Sequence, residues 1–587
     1  MTPTPTAPGR VVRPGDFATL AEALDYAADQ PTGLNIHDSR GELVEVLTYA
    51  ELRDDAARLA TRMLAAGLAA GDRVALAAES DGDFLRAFFA CQFAGLVPAP
   101  TPLPAPFGGK EAYVAHIRRL LVSSGARAAF CPAALGEWFR EAADGLAMAA
   151  IGPVGELPET RLASTLPHRP SDSAALCYLQ FSSGSTRFPL GVAVTHAALM
   201  ANVSAVGRLG LKVVPEDRTV SWLPLYHDMG LVGMVLNSLA FQVSVDLLPT
   251  SAFIRRPGLW LDLISTRRGT ISYAPTFGYE LAARRAAGRD LDLSGWRVAG
   301  VGGDMIRPEP LEAFAAAFAS AKFRPEVFVA SYGMAEATLA LTLAPLGEGL
   351  RTDAVDVDRL EHIGRADALD GRRDERRNRG GERPIARSRR FTLCGRPLVG
   401  HRIEVRDEAD QALPERLVGR IFARGPSLMT EYFGEPAETA KVLTVDGWLD
   451  TGDLGYLLDG EVVITGRAKD LIIVHGRNVW PQDLEWTAEQ EAPGLRNGDV
   501  AVFSVADADG EQVIAVAQCR ATSPAARETL RHSVATAIRV RHGLEVQVAL
   551  APPHGLPRTS SGKLSRTRAK SLYLGGAFAH LAERVTA

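Results

Sequence analysis

What limits the fold of this chain most is a repeated alternation of short apolar runs with stretches of helical periodicity. "RVALAA" reads as a buried strand and "DGDFLRAFFACQFAGL" as the helix that follows it. The theme returns in "SGARAAFCP", "AALCYLQF", "VDLLP", "ISYAPTF" and "WRVAGVGG", with the helical "YHDMGLVGMVLNSLA" between them. Buried strands separated by helices predict an α/β fold, a mostly parallel sheet covered on both faces. Thr48 and Glu51 form a capping box at the head of one helical pattern, and Gly67 marks its end. After "EVVITGR" the rhythm changes. "DVAVFSVADADGEQVIAVAQCR" reads as a hairpin, "SPAARETLRHSVATAIRVRHG" as a helix and "EVQVALAP" as a strand, which predicts a small α+β unit beginning near residue 467.

At 587 residues the chain is too long for one core. Its 64 basic and 69 acidic residues give a net charge of −5, so no overall field draws in nucleic acid or anionic lipid. The first residues show no basic stretch followed by an apolar run, so no secretory signal is expected. The longest apolar candidate, "LVGMVLNSLAFQVSVDLL", is interrupted by Asn237, Ser238, Gln242, Ser244 and Asp246, which argues against a membrane span. Cys91, Cys131, Cys177, Cys394 and Cys519 lie far apart without a C-x-x-C pair. They read as buried free thiols of a cytoplasmic protein, with neither disulfides nor a zinc site. One segment stands out. Residues 370–390, "DGRRDERRNRGGERPIARSRR", carry nine arginines and read either as a solvated loop or as a docking patch for an acidic partner.

"LQFSSGSTRFPLGVAVTH", residues 179–196, sets hydroxyls and glycines directly after a strand-like run. Ser182, Ser183, Gly184, Ser185 and Thr186 offer backbone N–H groups and rotatable O–H donors to an anion, which suits a phosphate. No Gly-Lys-Ser/Thr ends the loop, so it is not a Walker A sequence. Five further stretches follow in order: "SWLPLYHDMGL", "VASYGMAEATL", "GWLDTGDLGYL", "ITGRAKDLIIVHGRNVWPQDLE" and "LPRTSSGKLSR".

This ordered set resembles the adenylate-forming superfamily of acyl-CoA synthetases, luciferases and adenylation domains, and within it the fatty acyl-AMP ligases. The resemblance covers about residues 15–570. It implies a large N-terminal domain, residues 1–466, of helix-covered, mostly parallel sheets with a small β-subdomain, and a small mobile C-terminal lid, residues 467–587. "SSGSTRFPLG", within 182–191, is similar to the family's phosphate loop, although Arg187 and Leu190 stand where many relatives carry Gly and Lys. Glu336 matches the magnesium-binding glutamate, Tyr332 and Gly333 the adenine-stacking segment, and Gly303 with Asp304 the loop lining the adenine. Asp453 matches the acceptor of the ribose hydroxyls, Arg467 a ribose or phosphate contact, and Lys469 the hinge. Lys563 matches the lysine that bridges carboxylate and α-phosphate, where two anions must meet. His227 stands where amino-acid adenylation domains place an aspartate for the α-ammonium, which implies a simple carboxylic acid as substrate.

The implied reaction takes a fatty acid and ATP, with Mg²⁺, to the acyl-adenylate and pyrophosphate. The acyl group then passes to the phosphopantetheine thiol of an acyl carrier protein, or of a carrier domain in a polyketide or peptide synthase. An insertion expected at about residues 350–391 would restrain the lid and disfavour CoA, and its arginine-rich end would steer an acidic carrier. The alternatives are a long-chain acyl-CoA synthetase of the same fold and a non-catalytic, ligand-binding regulator.

Overall fold

The computed structural model describes residues 13, 15–104, 109–159, 172–181, 190–369, 387–474, 476–507, 510–559 and 563–578, the side chains of 507 and 510 excepted. The capping box forms as expected: the Thr48 hydroxyl accepts from Glu51 N–H, and Glu51 accepts from Thr48 N–H, at the head of helix Tyr49–Ala65. Asp81 caps Gly82–Ala94 by accepting from Phe84 N–H, and this helix is buried almost all round, as its apolar sequence requires.

The centre of the molecule is a nine-stranded sheet. Six parallel neighbours form its middle, in the order Phe328–Gly333, Val298–Val301, Ile271–Ala274, Arg218–Ser221, Ser244–Leu247 and Gly33–His37. Antiparallel strands close both sides, Leu43–Thr48 at one and Ala340–Leu343 with Arg396–Pro397 at the other. A second, all-parallel sheet has the order Val97–Thr101, Arg73–Ala77, Ala126–Phe130 and Ala150–Gly152. The parallel rhythm fails at "AALCYLQF": Leu176–Phe181 pairs antiparallel with Gly191–Thr195. Arg402–Arg406, Gly419–Arg424, Leu449–Leu458 and Glu461–Arg467 make a separate antiparallel sheet.

Beyond it, Val500–Asp507, Gly510–Gln518 and Gln547–Ala551 form a three-stranded sheet with helices Pro481–Glu491, Pro524–His542 and Arg566–Leu574. Its two apolar clusters draw their buried members only from residues 472–578. No helix among the described residues is long and apolar enough to cross a membrane. All five cysteines are free and buried.

Of the arginine-rich run, residues 370–386 lie outside the described residues, while Arg387, Arg389 and Arg390 are each paired with acids, Arg390 remaining exposed. Strand Ser388–Thr392 pairs antiparallel with Thr352–Asp356. Arg387 bonds Asp358 and Glu361, Arg389 is paired with Asp483, and Arg390 bonds Glu309 and Glu312. Alternation in "SRRFT" gives the run a buried face that charge counting does not reveal.

One buried acid binds the sheet together. Asp246, in the middle of Ser244–Leu247, accepts from His37 Nε2 at 2.9 Å, Arg218 Nε at 2.6 Å and Arg267 Nε at 3.0 Å. Burial alone would raise its pKa, yet the His37 and Arg218 bonds and the two arginine charges hold the carboxyl below the usual range. A depressed pKa contributes stability above the unfolded value, near 4, and that contribution is lost as pH falls. Asp246→Ala leaves three donors without their acceptor and should cost about 3–5 kcal/mol at neutral pH. In thermal melting, the gap between variant and wild type should be wide at pH 7 and close as the pH drops below about 4.

Candidate active site

All six parallel strands end on one edge, and the loops leaving that edge carry His227, Gly303, Asp304 and Glu336, with Tyr332 and Gly333 at the end of a strand. Strand Phe328–Gly333 ends in the turn bearing Glu336. Gly333 pairs with Ala340, and the chain returns so tightly that a Cβ on Gly333 would lie 1.9 Å from the Leu339 carbonyl. Only glycine fits there. Thr338, two residues beyond Glu336, sits at φ +69°, an outlier for a β-branched residue. Its hydroxyl donates to Ser427 O at 2.7 Å. Buried Asn202 donates to Ala337 O at 3.1 Å and Ala340 O at 2.8 Å, and Met429 N–H donates to Glu336 O at 2.8 Å. The turn is held by contacts from two segments, around Asn202 and around Ser427–Met429.

Glu336 itself is buried and accepts from the Tyr432 hydroxyl at 2.8 Å. Burial pushes its carboxyl above the ordinary range, against the opposing pull of that hydroxyl and the Arg467 charge. Tyr332 donates its hydroxyl to Asp453 Oδ2 at 2.8 Å, and Arg467 Nε lies 3.1 Å from Asp453 Oδ1. Asp453 and Arg467 are register partners on adjacent strands of the separate antiparallel sheet, so their pairing follows from the ladder. The Asp453 charge, ahead of the opposing effect of burial, raises Arg467, to which Tyr332 and Glu336 also contribute. Lys469, in the turn Ala468–Asp470, is lowered by burial and then by the Arg467 charge.

His227 lies on the loop after Arg218–Ser221, with Nδ1 2.5 Å from Asp228 Oδ1. Met229 N–H donates to the same carboxylate at 2.7 Å, while its approach to His227 Nδ1 is a longer 3.3 Å. Asp228 Oδ1 is thus shared between His227 Nδ1 and Met229 N–H. Burial works to raise Asp228, but His227 and then the Lys563 charge hold it below the usual carboxylate range. Lys563 thus faces this loop electrostatically. Its own turn is fixed by Thr559 N–H donating to Lys563 O at 2.8 Å. Gly303, at φ +76°, leaves room for the Met229 sulfur, 2.5 Å from where a Cβ would stand. Asp304 takes no part in this network: it is exposed and caps its own turn by accepting from Met305 N–H at 2.8 Å.

Ser182, Ser183, Gly184, Ser185, Thr186 and Arg187 lie outside the described residues. The strands that flank them are anchored on both sides of the site. Gln180 Nε2 donates to Tyr226 O at 2.6 Å, and Phe433 N–H donates to Gly191 O at 2.8 Å beside Tyr432. Sequence reading missed Tyr432, Gln180 and Asn202 because nothing local in "MTEYFGEP", "CYLQF" or "LMANVS" marks chemistry. Only the fold sets them beside Glu336 and His227.

The region expected as an insertion reaches the C-terminal unit. Glu361 accepts from Arg387 and from Arg477 at 2.6 Å each, and Arg389 is buried against Asp483 and stacks 4.1 Å over Phe391. Burial outweighs this pairing at Asp483, pushing its carboxyl up to about 6.

Comparison with known proteins places this geometry. Residues 27–433 match the family described as AMP-binding enzyme, and the chain belongs to that family. A protein of Caulobacter vibrioides named "Putative acyl-CoA synthetase" is 55% identical over 98% of both chains. "Long-chain-fatty-acid--AMP ligase FadD32" of Mycolicibacterium smegmatis is 31% identical over 86% of this chain and 85% of its own. "Medium-chain-fatty-acid--[acyl-carrier-protein] ligase JamA" of Moorena producens is 30% identical over 96% of both. A solved structure from work on fatty acyl-adenylate ligases of E. coli and L. pneumophila superposes with a TM-score of 0.90 at 43% identity, over 97% of this chain and 100% of that one. Within the family, the chain falls in the fatty acyl-AMP ligase branch.

Gly303→Ala should lower both the melting temperature and the rate of adenylate formation. It forces a Cβ into a left-handed position and against Met229, for about 1 kcal/mol of backbone strain plus displacement of the His227 loop. Adding Met229→Ala should restore part of the rate, a non-additivity measurable by a double-mutant cycle. Simple additivity would show that the two residues do not communicate.

Proposed function

We propose that this protein activates a fatty acid as its acyl-adenylate and hands the acyl group to the phosphopantetheine thiol of an acyl carrier protein or carrier domain. The observation that carries the reading is convergence. The Tyr332 hydroxyl of the nine-stranded sheet bonds Asp453 of the separate sheet, which pairs with Arg467, and the Lys563 charge reaches Asp228 beside His227. The names of two relatives, an AMP ligase and an acyl-carrier-protein ligase, support the substrate and the acceptor.

In the first step a carboxylate oxygen attacks the α-phosphorus of ATP. The bond from that phosphorus to the bridging oxygen breaks, and pyrophosphate leaves with the electron pair. Two anions must be brought together, so the residues here act chiefly by neutralising charge and aligning the reactants. Lys563 offsets the repulsion between carboxylate and phosphate, and His227 orients the acid from the opposite side. The hydroxyls and amides of 182–186 hold the triphosphate. Asp453 accepts from the ribose hydroxyls, Arg467 contacts ribose or phosphate, and Tyr332 with Gly333, Gly303 and Asp304 lines the adenine. Lys469 serves as hinge for the lid, residues 467–587. In the second step the carrier's sulfur attacks the acyl carbon, AMP departs, and the thiol proton passes to solvent.

Glu336 fits a Mg²⁺ ligand. Its Oε1 is committed to Tyr432, leaving Oε2 as a hard oxygen donor, and no group of three or more His, Cys, Asp or Glu side chains among the described residues forms a complete cage. A single carboxylate alongside substrate phosphates is how Mg²⁺ is commonly held, and the ion supplies charge neutralisation on those phosphates.

The name of the Caulobacter relative favours a second reading, with CoA as acceptor. Offering CoA and a holo-carrier protein side by side decides between them: carrier loading with negligible acyl-CoA supports the proposal, and the reverse overturns it.

Lys563→Ala should slow ATP–pyrophosphate exchange with fatty acids about 10²–10³-fold while the melting temperature holds. Exchange at the wild-type rate would remove Lys563 from the reaction. Tyr432→Phe deletes the hydroxyl that opposes burial at Glu336, so the Glu336 pKa rises further. The acid limb of the activity profile should shift to higher pH, and excess Mg²⁺ should shift it back.

A further inference from the structure

Three arginines that the proposed reaction does not use crowd one corner of the same sheet edge. Arg40 lies in the turn after Gly33–His37, and Arg255 and Arg256 close the helix Thr250–Arg255 that follows Ser244–Leu247. These strands are parallel neighbours, with Leu34 opposite Val245 and Ile36 opposite Leu247. Their connections therefore leave from the edge that also carries the His227, Gly303 and Glu336 loops. With Ser39, the three arginines line a surface recess of about 500 Å³.

All three are exposed, and the bonds their side chains make are to main chain. Arg256 Nη2 donates to Ser39 O at 2.6 Å, and Arg255 Nε donates to Ser251 O at 3.1 Å. The nearby Asp38 carboxylate accepts from the N–H groups of Arg40 and Glu42, and the Arg40 charge also acts on it, leaving Arg255 and Arg256 as the less offset pair. Among the described residues, none of the three arginines has a carboxylate within 4.0 Å, whereas Arg86, Arg297, Arg387 and Arg566 each bind one or more. On a chain of net charge −5, this is a local positive corner.

The surface around it is apolar. Ile254 is 44% exposed, and the edge strand Leu43–Thr48 shows Leu43 at 43%, Val44 at 62% and Val46 at 56%. Arginine set among exposed aliphatic side chains is the composition of a protein interface. A small anion could use the guanidiniums but would leave the aliphatic strand uncovered. Charge and apolar surface together fit an acidic protein that presents carboxylates around a few hydrophobic side chains.

We infer that the Arg40–Arg255–Arg256 corner, with Ile254 and the Leu43–Thr48 edge, docks the acidic carrier protein that receives the acyl group. The inference rests on the acceptor proposed above. The position suits it: Gly33–His37 stands two strands from Arg218–Ser221, about 10 Å across the sheet. A carrier seated there lies beside the His227 loop, with its thiol arm left to reach the adenylate. Docking of this kind acts on encounter and weakens with salt.

The test uses the full-length protein with Arg40→Glu, Arg255→Glu and Arg256→Glu combined, a purified holo-acyl carrier protein, and free pantetheine as a thiol without a carrier. ATP–pyrophosphate exchange should stay within about twofold of wild type, since none of the three residues belongs to the adenylation site. The KM for the carrier should rise about tenfold or more, transfer to pantetheine should be unchanged, and added salt should raise the wild-type KM but hardly the variant's. An unchanged carrier KM in the variant overturns the docking face alone. An equal loss with pantetheine also overturns it, by placing the arginines on the thiol's path. A wild-type protein that makes adenylate but loads no carrier removes the acceptor proposal, and this surface with it.

Discussion

The central constraint in this molecule is that parallel strands must all finish on the same side. Each parallel neighbour is reached by a crossover, so the chain leaves the sheet repeatedly at one edge and delivers a new loop there each time. Six strands do so in sequence-distant succession, which is how residues from the Ser39 turn to the Glu336 turn come to share one rim. Asp246 reinforces the arrangement by binding donors from two strands and a helix at a single buried acceptor.

Electrostatics then divide the rim into parts. Arg467 is the hub, pairing with Asp453 while its charge also reaches Glu336, Tyr332 and Lys469. Because Asp453 and Arg467 face one another across a ladder, their geometry is as rigid as the sheet that carries them. The carboxylates nearby are pulled in opposite directions. Asp228 is held low by His227 and Lys563, and Glu336 is raised by burial. Two acids at one rim thereby acquire different protonation behaviour without any difference in their chemistry.

Much of this was legible in the sequence, for reasons that can be stated. Helix starts were readable because Thr48 and Asp81 act locally, and the α/β class because buried strands leave unbroken apolar runs. Glu336, Asp453 and Lys563 stood out because each is embedded in glycine-flanked motifs that recur across a family. Tyr432 and Asn202 did not, since their work is done across distances no local pattern records. The described end of the arginine-rich stretch, residues 387–390, shows a related limit. Counting charges suggested open solvent, but Arg389 alternates onto a covered face and meets Asp483, an acid almost a hundred positions later. The Arg40 corner was invisible for the same reason, being assembled from two turns far apart in the chain.

Thr338 carries a consequence for anyone wishing to harden this protein against heat. A branched residue at φ +69° and ψ −48° is a place where glycine would relax the backbone, so a stability screen would be drawn to it. That relaxation would also slacken the hydroxyl tether to Ser427 behind the acidic turn. Thermal robustness and catalytic aim therefore pull against each other at one side chain, and engineering that improves the first should be expected to blunt the second.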